Sequence, residues 1–184
     1  MATDTRSRMI DATVEALQRR GMAGMSFTDV LRSSGAARGA IYHHFPGGKN
    51  QLVGEAATRN GHDVRAALAE LPSGSPQAVV EAFLAAVRPV VLASAAGGGC
   101  AVAAVGIGTE EEALREVAAG AFASWVEQLA ERLATAGLPP EAAADLATTL
   151  IVLLEGAHVL CRAAGDIQPF DRAARTAVLL AQRD

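Results

Sequence analysis

Residues 26–49 read SFTDVLRSSGAARGAIYHHFPGGK, and this stretch decides the fold. Ser26 is placed to cap a helix by accepting from the backbone amide near Asp29 while that carboxylate reaches back, an acidic variant of the capping box. Phe27, Val30 and Leu31 then fall on one buried face. Gly35 supplies the left-handed residue that ends a helix, and Ala36 and Ala37 open a second one carrying Arg38, Gly39, Ala40, Ile41, Tyr42, His43 and His44. Two short helices joined by a Gly-containing turn make a helix-turn-helix. In such a unit the second helix lies in the major groove of duplex DNA, with its first residues at base edges and neighbouring groups on phosphates.

Roles follow from side-chain chemistry. Gly39 and Ala40 permit close approach and at most an apolar contact with a thymine methyl, which leaves Arg38 as the main base-edge or phosphate donor. Tyr42, His43, His44 and Lys49 can all donate to phosphate oxygens, and Ser26 and Thr28 at the start of the first helix complete the expected contact set. Tyr42 has an alternative as a packing aromatic, and Phe45 at the helix exit suits the core of a small three-helix unit. His43 and His44 are adjacent on a helix and point about 100° apart, a poor chelate, so no metal site is expected. A lysine at a helix start, as at Lys49, opposes the helix dipole unless an anion such as a phosphate is near.

At these residues the chain resembles the tetracycline-repressor (TetR) family: ARGAIYHHF is similar to its recognition helix, and a lysine follows at the start of the next helix. Two departures stand out. Ala37 and Ala40 occupy positions where the family often has Ser and Thr, so those hydroxyl contacts are missing, and the linker PGGK is one residue longer than the commoner form, as in the LmrA/YxaF-like branch. The resemblance covers the first quarter of the chain by motif and the remainder by helical layout. It implies a DNA-binding domain at residues 1–49, followed by an effector-binding and dimerisation domain at residues 50–184.

Charge agrees with that division. The 184 residues carry a net charge of −4, yet residues 1–50 hold seven basic and four acidic side chains, net +3, and residues 51–184 hold nine and sixteen, net −7. Local field, rather than net charge, governs docking to a polyanion. Cys100 and Cys161 are far apart in sequence and no secretory pattern opens the chain, so a reduced, cytoplasmic setting is expected. Both thiols are read as small buried hydrophobes, with a redox pair as the alternative. The strongest apolar run, residues 150–154, is far short of the roughly 20 residues that cross a bilayer, and no transmembrane segment is expected.

Everything else punctuates as helix, nine in all, with no strand period. A first helix over residues 5–20 carries Ile10, Val14 and Leu17 on one stripe and ends at Gly21. A fourth runs over 50–71. Pro72, Ser73, Gly74 and Ser75 mark a break, after which Ser75 and Pro76 cap and start a fifth helix that Pro89 ends or kinks. A short apolar helix is expected near 100–105, and Thr109 with Glu112 forms a capping box on a seventh that reaches Gly137. Pro139 and Pro140 start the eighth, Gly165 ends it, and Pro169 starts the ninth.

The eighth helix is apolar on more than one side. Leu150, Leu153, Leu154, Ala157 and Cys161, with Val178 on the ninth, are the expected dimer interface, since the resemblance implies a four-helix bundle between two copies. Alternatively the eighth helix is simply central in the monomer. His62, Phe83, Cys100, Phe122, Trp125 and His158 are the candidates for a mostly apolar ligand pocket, each with an alternative as an ordinary core residue. Glu155, His158 and Arg162 share a helix face and need partners from a ligand, a dimer mate or one another.

The expected protein is therefore an all-α, ligand-responsive repressor with no cofactor, binding a palindromic operator as a homodimer and released by a small apolar effector. On the family's pattern, the effector changes the spacing of the two heads through the fourth helix. A helical enzyme using Glu155 and His158 is the competing class, but a dinucleotide fingerprint, a complete P-loop and a nucleophile elbow are all missing.

Overall fold

The computed structural model describes residues 4–72 and 74–182, so Ser73 of the expected break lies outside it. Among the described residues there are nine helices and no strand: α1 Thr5–Gly24, α2 Phe27–Ser34, α3 Ala40–His44, α4 Gly48–Ala69, α5 Pro76–Ala95, α6 Ala101–Gly108, α7 Glu112–Thr135, α8 Pro140–Ala164 and α9 Gln168–Leu180. They form two compact units, Met1–His62 with Cys100–Ala121, and Asp63–Gly99 with Phe122–Asp184. The chain thus contributes two separate stretches to each unit, and the breaks fall inside α4, before α6 and inside α7.

In the first unit, α1 buries Met9, Thr13 and Leu17, one residue per turn. Gly21 adopts φ 66°, ψ −177° and breaks its regular course, as the sequence predicts. Val30 of α2, Ile41 of α3, Phe45, and Leu52 and Val53 of α4 complete the core under the short helices. Ala101 and Val105 of α6 and Leu114 of α7 belong to the same core, so residues far downstream finish it.

The joint between α2 and α3 differs from expectation in one respect. Ser26 caps α2 by accepting from Asp29 N–H at 3.2 Å, and Gly35 ends it in the left-handed region at φ 67°. Ala36 N–H then turns back to the Leu31 carbonyl at 3.2 Å, the arrangement that closes orphan carbonyls at a helix end. That bond leaves residues 36 and 37 outside any helix, and α3 begins only at Ala40, after a turn in which Ala40 N–H bonds the Ala37 carbonyl at 2.9 Å.

In the second unit α5, α8 and α9 pack on one another. Ser75 caps α5 through Ala78 N–H at 3.2 Å. Pro89 does not end α5, which continues to Ala95. Pro89 and Ala85, whose carbonyl loses its usual donor, are both exposed, so the missing bond is not sealed in the core. The start of α7 also differs: Thr109 Oγ1 accepts from Glu111 N–H at 3.1 Å instead of reaching Glu112, and the helix begins at Glu112. By length and composition α5 and α8 would each suffice to cross a bilayer, unlike the short run singled out in the sequence. Each lays its buried face on the other instead, as core helices do.

Helix α8 buries most of the residues expected at the dimer interface within its own unit. Leu150, Leu154, Ala157 and Cys161 are buried in the unit's own core beside α5, and Leu153 and Val178 are half-buried. The outward residues are Val152 and Val159, both 66% exposed, and Leu160, 59% exposed. Val152, Gly156 and Val159 of α8, with Phe122 and Val126 of α7, line a shallow groove of about 540 Å³.

Gly35→Ala tests the αL joint. The substitution should destabilise the protein by about 1 kcal/mol, since an L side chain is strained at this φ, and thermal melting beside the wild type measures it. An unchanged melting temperature would show that the joint relaxes freely.

Candidate nucleic-acid interface

Helix α3 has five residues, too few to be stable alone, and is held by Ile41, 2% exposed, and by the fully buried Phe45 just beyond it. Anchoring these two turns the residues between and before them outward. Tyr42 is 66% exposed, and its ring meets Phe27 edge-on with centroids 6.1 Å apart, so it packs and presents its phenol together. His43 is exposed and His44 half-buried, their rings edge to face at 5.0 Å. No cluster of three metal-ligating side chains occurs among the described residues.

Arg38 and Gly39 occupy the exposed turn leading into α3. Arg38 has no hydrogen-bond or ion-pair partner among the described residues, unlike most cations of this unit. Arg6 pairs with Glu55 and lies over the Phe45 ring, Arg8 donates to the Ser34 carbonyl at 3.0 Å, and Arg20 and Arg32 both meet Asp29. Gly39 has φ −76°, an ordinary value for any residue. A Cβ added there would meet nothing within 4 Å. Neither backbone geometry nor internal packing requires glycine here, whereas close approach of an external body would.

Two expected contacts are engaged internally. The Ser26 hydroxyl donates to Asp29 Oδ2 at 2.9 Å while accepting that residue's N–H, so its single proton is committed to the cap. Lys49 Nζ donates to the Met22 carbonyl at 3.1 Å, which orients the ammonium and leaves it two further protons. Thr28 and Ala40 complete the set, exposed and half-buried respectively. Asp29, which the sequence singled out only as half of a cap, is the hub of this edge. The Ser26 hydroxyl first, joined by the Arg20 and Arg32 guanidinium groups, holds its carboxyl below the usual carboxylate value against the opposing effect of desolvation.

The candidate ligand residues fall in both units. In the first, His62 is exposed, and Cys100 caps α6 by accepting from Ala103 N–H at 3.4 Å. In the second, Phe83 and Trp125 are core residues at 0% and 1% exposure, and Phe122 is half-buried with its ring edge-on to Trp125 at 5.1 Å. His158 is 6% exposed and pairs through Nδ1 with Ser94 Oγ at 2.6 Å. Sequence reading missed Ser94, whose only signal is a lone hydroxyl in an apolar stretch of α5.

Ser26→Ala should raise the Asp29 pKa toward its ordinary value by removing the largest stabilising contact, as read by a carboxyl NMR titration. Because the folded value is lowered, the stability linked to Asp29 is present above the ordinary carboxylate range and is lost as pH falls through the folded pKa. An unmoved titration would mean that the arginines, not the hydroxyl, dominate.

Comparison with known proteins agrees with this geometry. Residues 9–56 match the family model described as bacterial regulatory proteins of the tetR family, and residues 76–176 match that of the transcriptional regulator LmrA/YxaF-like C-terminal domain. The chain is 35% identical over 173 residues to the HTH-type transcriptional regulator Rv0196 of Mycobacterium tuberculosis H37Rv, covering 90% of this chain and 88% of that protein. It is 27% identical over 170 residues to the HTH-type transcriptional regulator LmrA of Bacillus subtilis, covering 90% of each. A TetR transcriptional regulator from Legionella pneumophila superposes with a TM-score of 0.84 at 23% identity, over 97% of both chains. Regulatory protein TetR from Rhodobacter sphaeroides gives 0.83 at 18% identity, over 96% of this chain and 98% of that one. These are regulators, not enzymes, and the acid–base reading of Glu155 and His158 gives way to them. The chain belongs to the TetR family of bacterial transcriptional regulators, in its LmrA/YxaF-like branch.

Proposed function

We propose that this regulator is a cytoplasmic repressor that binds a palindromic operator as a twofold dimer and is released by a small, apolar effector. The observation that carries the DNA reading is the exposed turn at Arg38 and Gly39, an unpaired guanidinium beside a glycine with no internal reason to be one. Arg38 reads a base edge, while Gly39 and Ala40 let the backbone come close. Thr28, Tyr42, His43, His44 and the two remaining protons of Lys49 hold phosphates. Ser26 contributes through the helix start that it caps.

Dimerisation uses the outward side of α8, through Val152, Gly156, Val159 and Leu160, with Leu179 and Leu180 of α9. Gly156 supports this assignment: a mid-helix glycine with open space around it costs helix stability and admits a second helix closely. Twofold pairing places two heads about 34 Å apart along B-DNA, one helical turn. The effector occupies the second unit at Phe122, Trp125 and His158. It shifts the spacing only by its differential affinity for the two states, so DNA reciprocally weakens its binding.

Selection of bound duplexes from a random pool supplies the operator on which these roles are measured. Arg38→Ala should weaken that operator by about 10- to 100-fold and relax one position, whereas Lys49→Ala should weaken all sequences about equally and lower the salt slope by about one. Gly39→Leu should abolish operator binding with the melting temperature unchanged. If Gly39→Leu binds normally, no duplex approaches this turn. Val152→Asp should convert the dimer to monomer in sedimentation at micromolar concentration, and an intact dimer would remove α8's outward face from the interface.

A further inference from the structure

Pro46, Gly47 and Gly48 join the reading helix to Lys49, and a chain of side chains outside the DNA contacts proposed above closes over this turn. Gly47 N–H donates to Gln51 Oε1 at 2.8 Å, and Gln51 Nε2 donates in turn to Glu55 Oε1 at 3.0 Å. The other oxygen of Glu55 takes the Arg6 guanidinium, which lies 5.2 Å from the centre of the Phe45 ring. The path starts at the linker, crosses one turn of α4, passes to α1 and returns to the anchor at the exit of α3. All of its members belong to the first unit.

Each link has a geometric reason. Gln51 and Glu55 are four residues apart on α4, so their side chains meet on one face. A carboxamide suits the middle of the chain, because its oxygen accepts from the linker while its nitrogen donates to a carboxylate. A Cβ added to Gly47 would lie 3.0 Å from both Gln51 Cβ and Gln51 Oε1, so glycine leaves the room in which the carboxamide reaches the backbone. Gly48 turns at φ 69° and its N–H bonds the Phe45 carbonyl at 2.9 Å. Backbone thus holds the Gly48 amide, Pro46 has none, and a side chain from α4 holds the Gly47 amide.

We infer that Gln51 is a positioning residue for DNA recognition: its carboxamide clasps the linker and, backed by Glu55 and Arg6, fixes the base-reading turn relative to the Lys49 ammonium. This inference rests on the DNA reading above. Base readout needs base and phosphate contacts in one register, whereas non-specific binding needs only the charges. Loosening the clasp therefore lowers the preference for the operator without lowering attraction to duplex in general.

The test is a ratio of two affinities of the full chain, for the selected operator and for a random duplex of equal length, at one salt concentration. Both are measured well below the melting temperature, where a purely structural loss moves neither. Gln51→Ala should weaken operator binding about tenfold, the effect of one hydrogen bond, and leave the random duplex within about twofold. Gln51→Glu keeps an acceptor for Gly47 but sets two carboxylates side by side, and should lower the ratio as well. Combining it with Glu55→Gln restores each bond and the wild-type charge, since the new carboxylate accepts from Gly47 and from the new amide, which accepts from Arg6. The ratio should then recover, a rescue that a direct contact of Gln51 with phosphate would not produce.

Equal losses on both duplexes would make Gln51 a phosphate ligand, and an unchanged ratio would make the clasp incidental; either overturns the proposal. The wild type supplies a separate reading should a variant fail to fold. Its Gly47 amide should exchange with deuterium about tenfold more slowly than an open glycine amide, and exchange at the open rate overturns the clasp. A wild type that prefers its operator, with a ratio insensitive to Gln51, defeats the clasp alone. A wild type that binds neither duplex defeats the regulator reading.

Discussion

A helix of five residues cannot hold its own shape in water, and the DNA-reading part of this protein rests on how α3 is held. Ile41 and Phe45 are its two anchors, four residues apart on one face and sealed in the core of the first unit. With that face fixed, Tyr42 and His43 point outward, and the turn carrying Arg38 and Gly39 projects ahead of the helix. The core that receives the anchors is not local. Ala101 and Val105 of α6 and Leu114 of α7 lie in it, so the reading surface depends on chain far from the helix-turn-helix motif.

Electrostatics is arranged around the same surface. Several basic side chains of the first unit have acidic or carbonyl partners: Arg6 with Glu55, Arg20 and Arg32 with Asp29, and Lys49 with the Met22 carbonyl. Exposed pairs of this kind contribute little stability, commonly below about 1 kcal/mol. Their consequence is placement: they keep long side chains in fixed directions beside the place where a polyanion would dock. Arg38 is the exception, and its freedom suits a group whose partner is a base.

Elements governed by local hydrogen bonding were legible in the sequence. Ser26, Ser75, Gly35 and Gly165 mark helix ends as expected, because a cap uses only neighbours within one turn. The misreadings involve competition between local options. At Ala36 a backbone amide that could have opened α3 closes α2 instead. At Thr109 the hydroxyl takes the nearer of two amides. Pro89 is tolerated inside α5 because Ala85, whose carbonyl it leaves without a donor, lies on the exposed side, a fact that depends on where the helix packs.

Composition and periodicity by themselves determined that the chain is helical and that the amino-terminal region carries the positive charge, and ARGAIYHHF carried the resemblance to a TetR recognition helix. Hydrophobic spacing, caps and formal charges are properties of neighbouring residues. Only tertiary structure decided which apolar stripe of α8 turns inward. Leu150, Leu154 and Cys161 are as apolar as Val152, Val159 and Leu160, and the packing of α5 and α9 selects between them. Tertiary packing also joined Ser94 to His158 across 64 residues. A pairing between two helices leaves no period in either one, so no inspection of the separate segments could have revealed it.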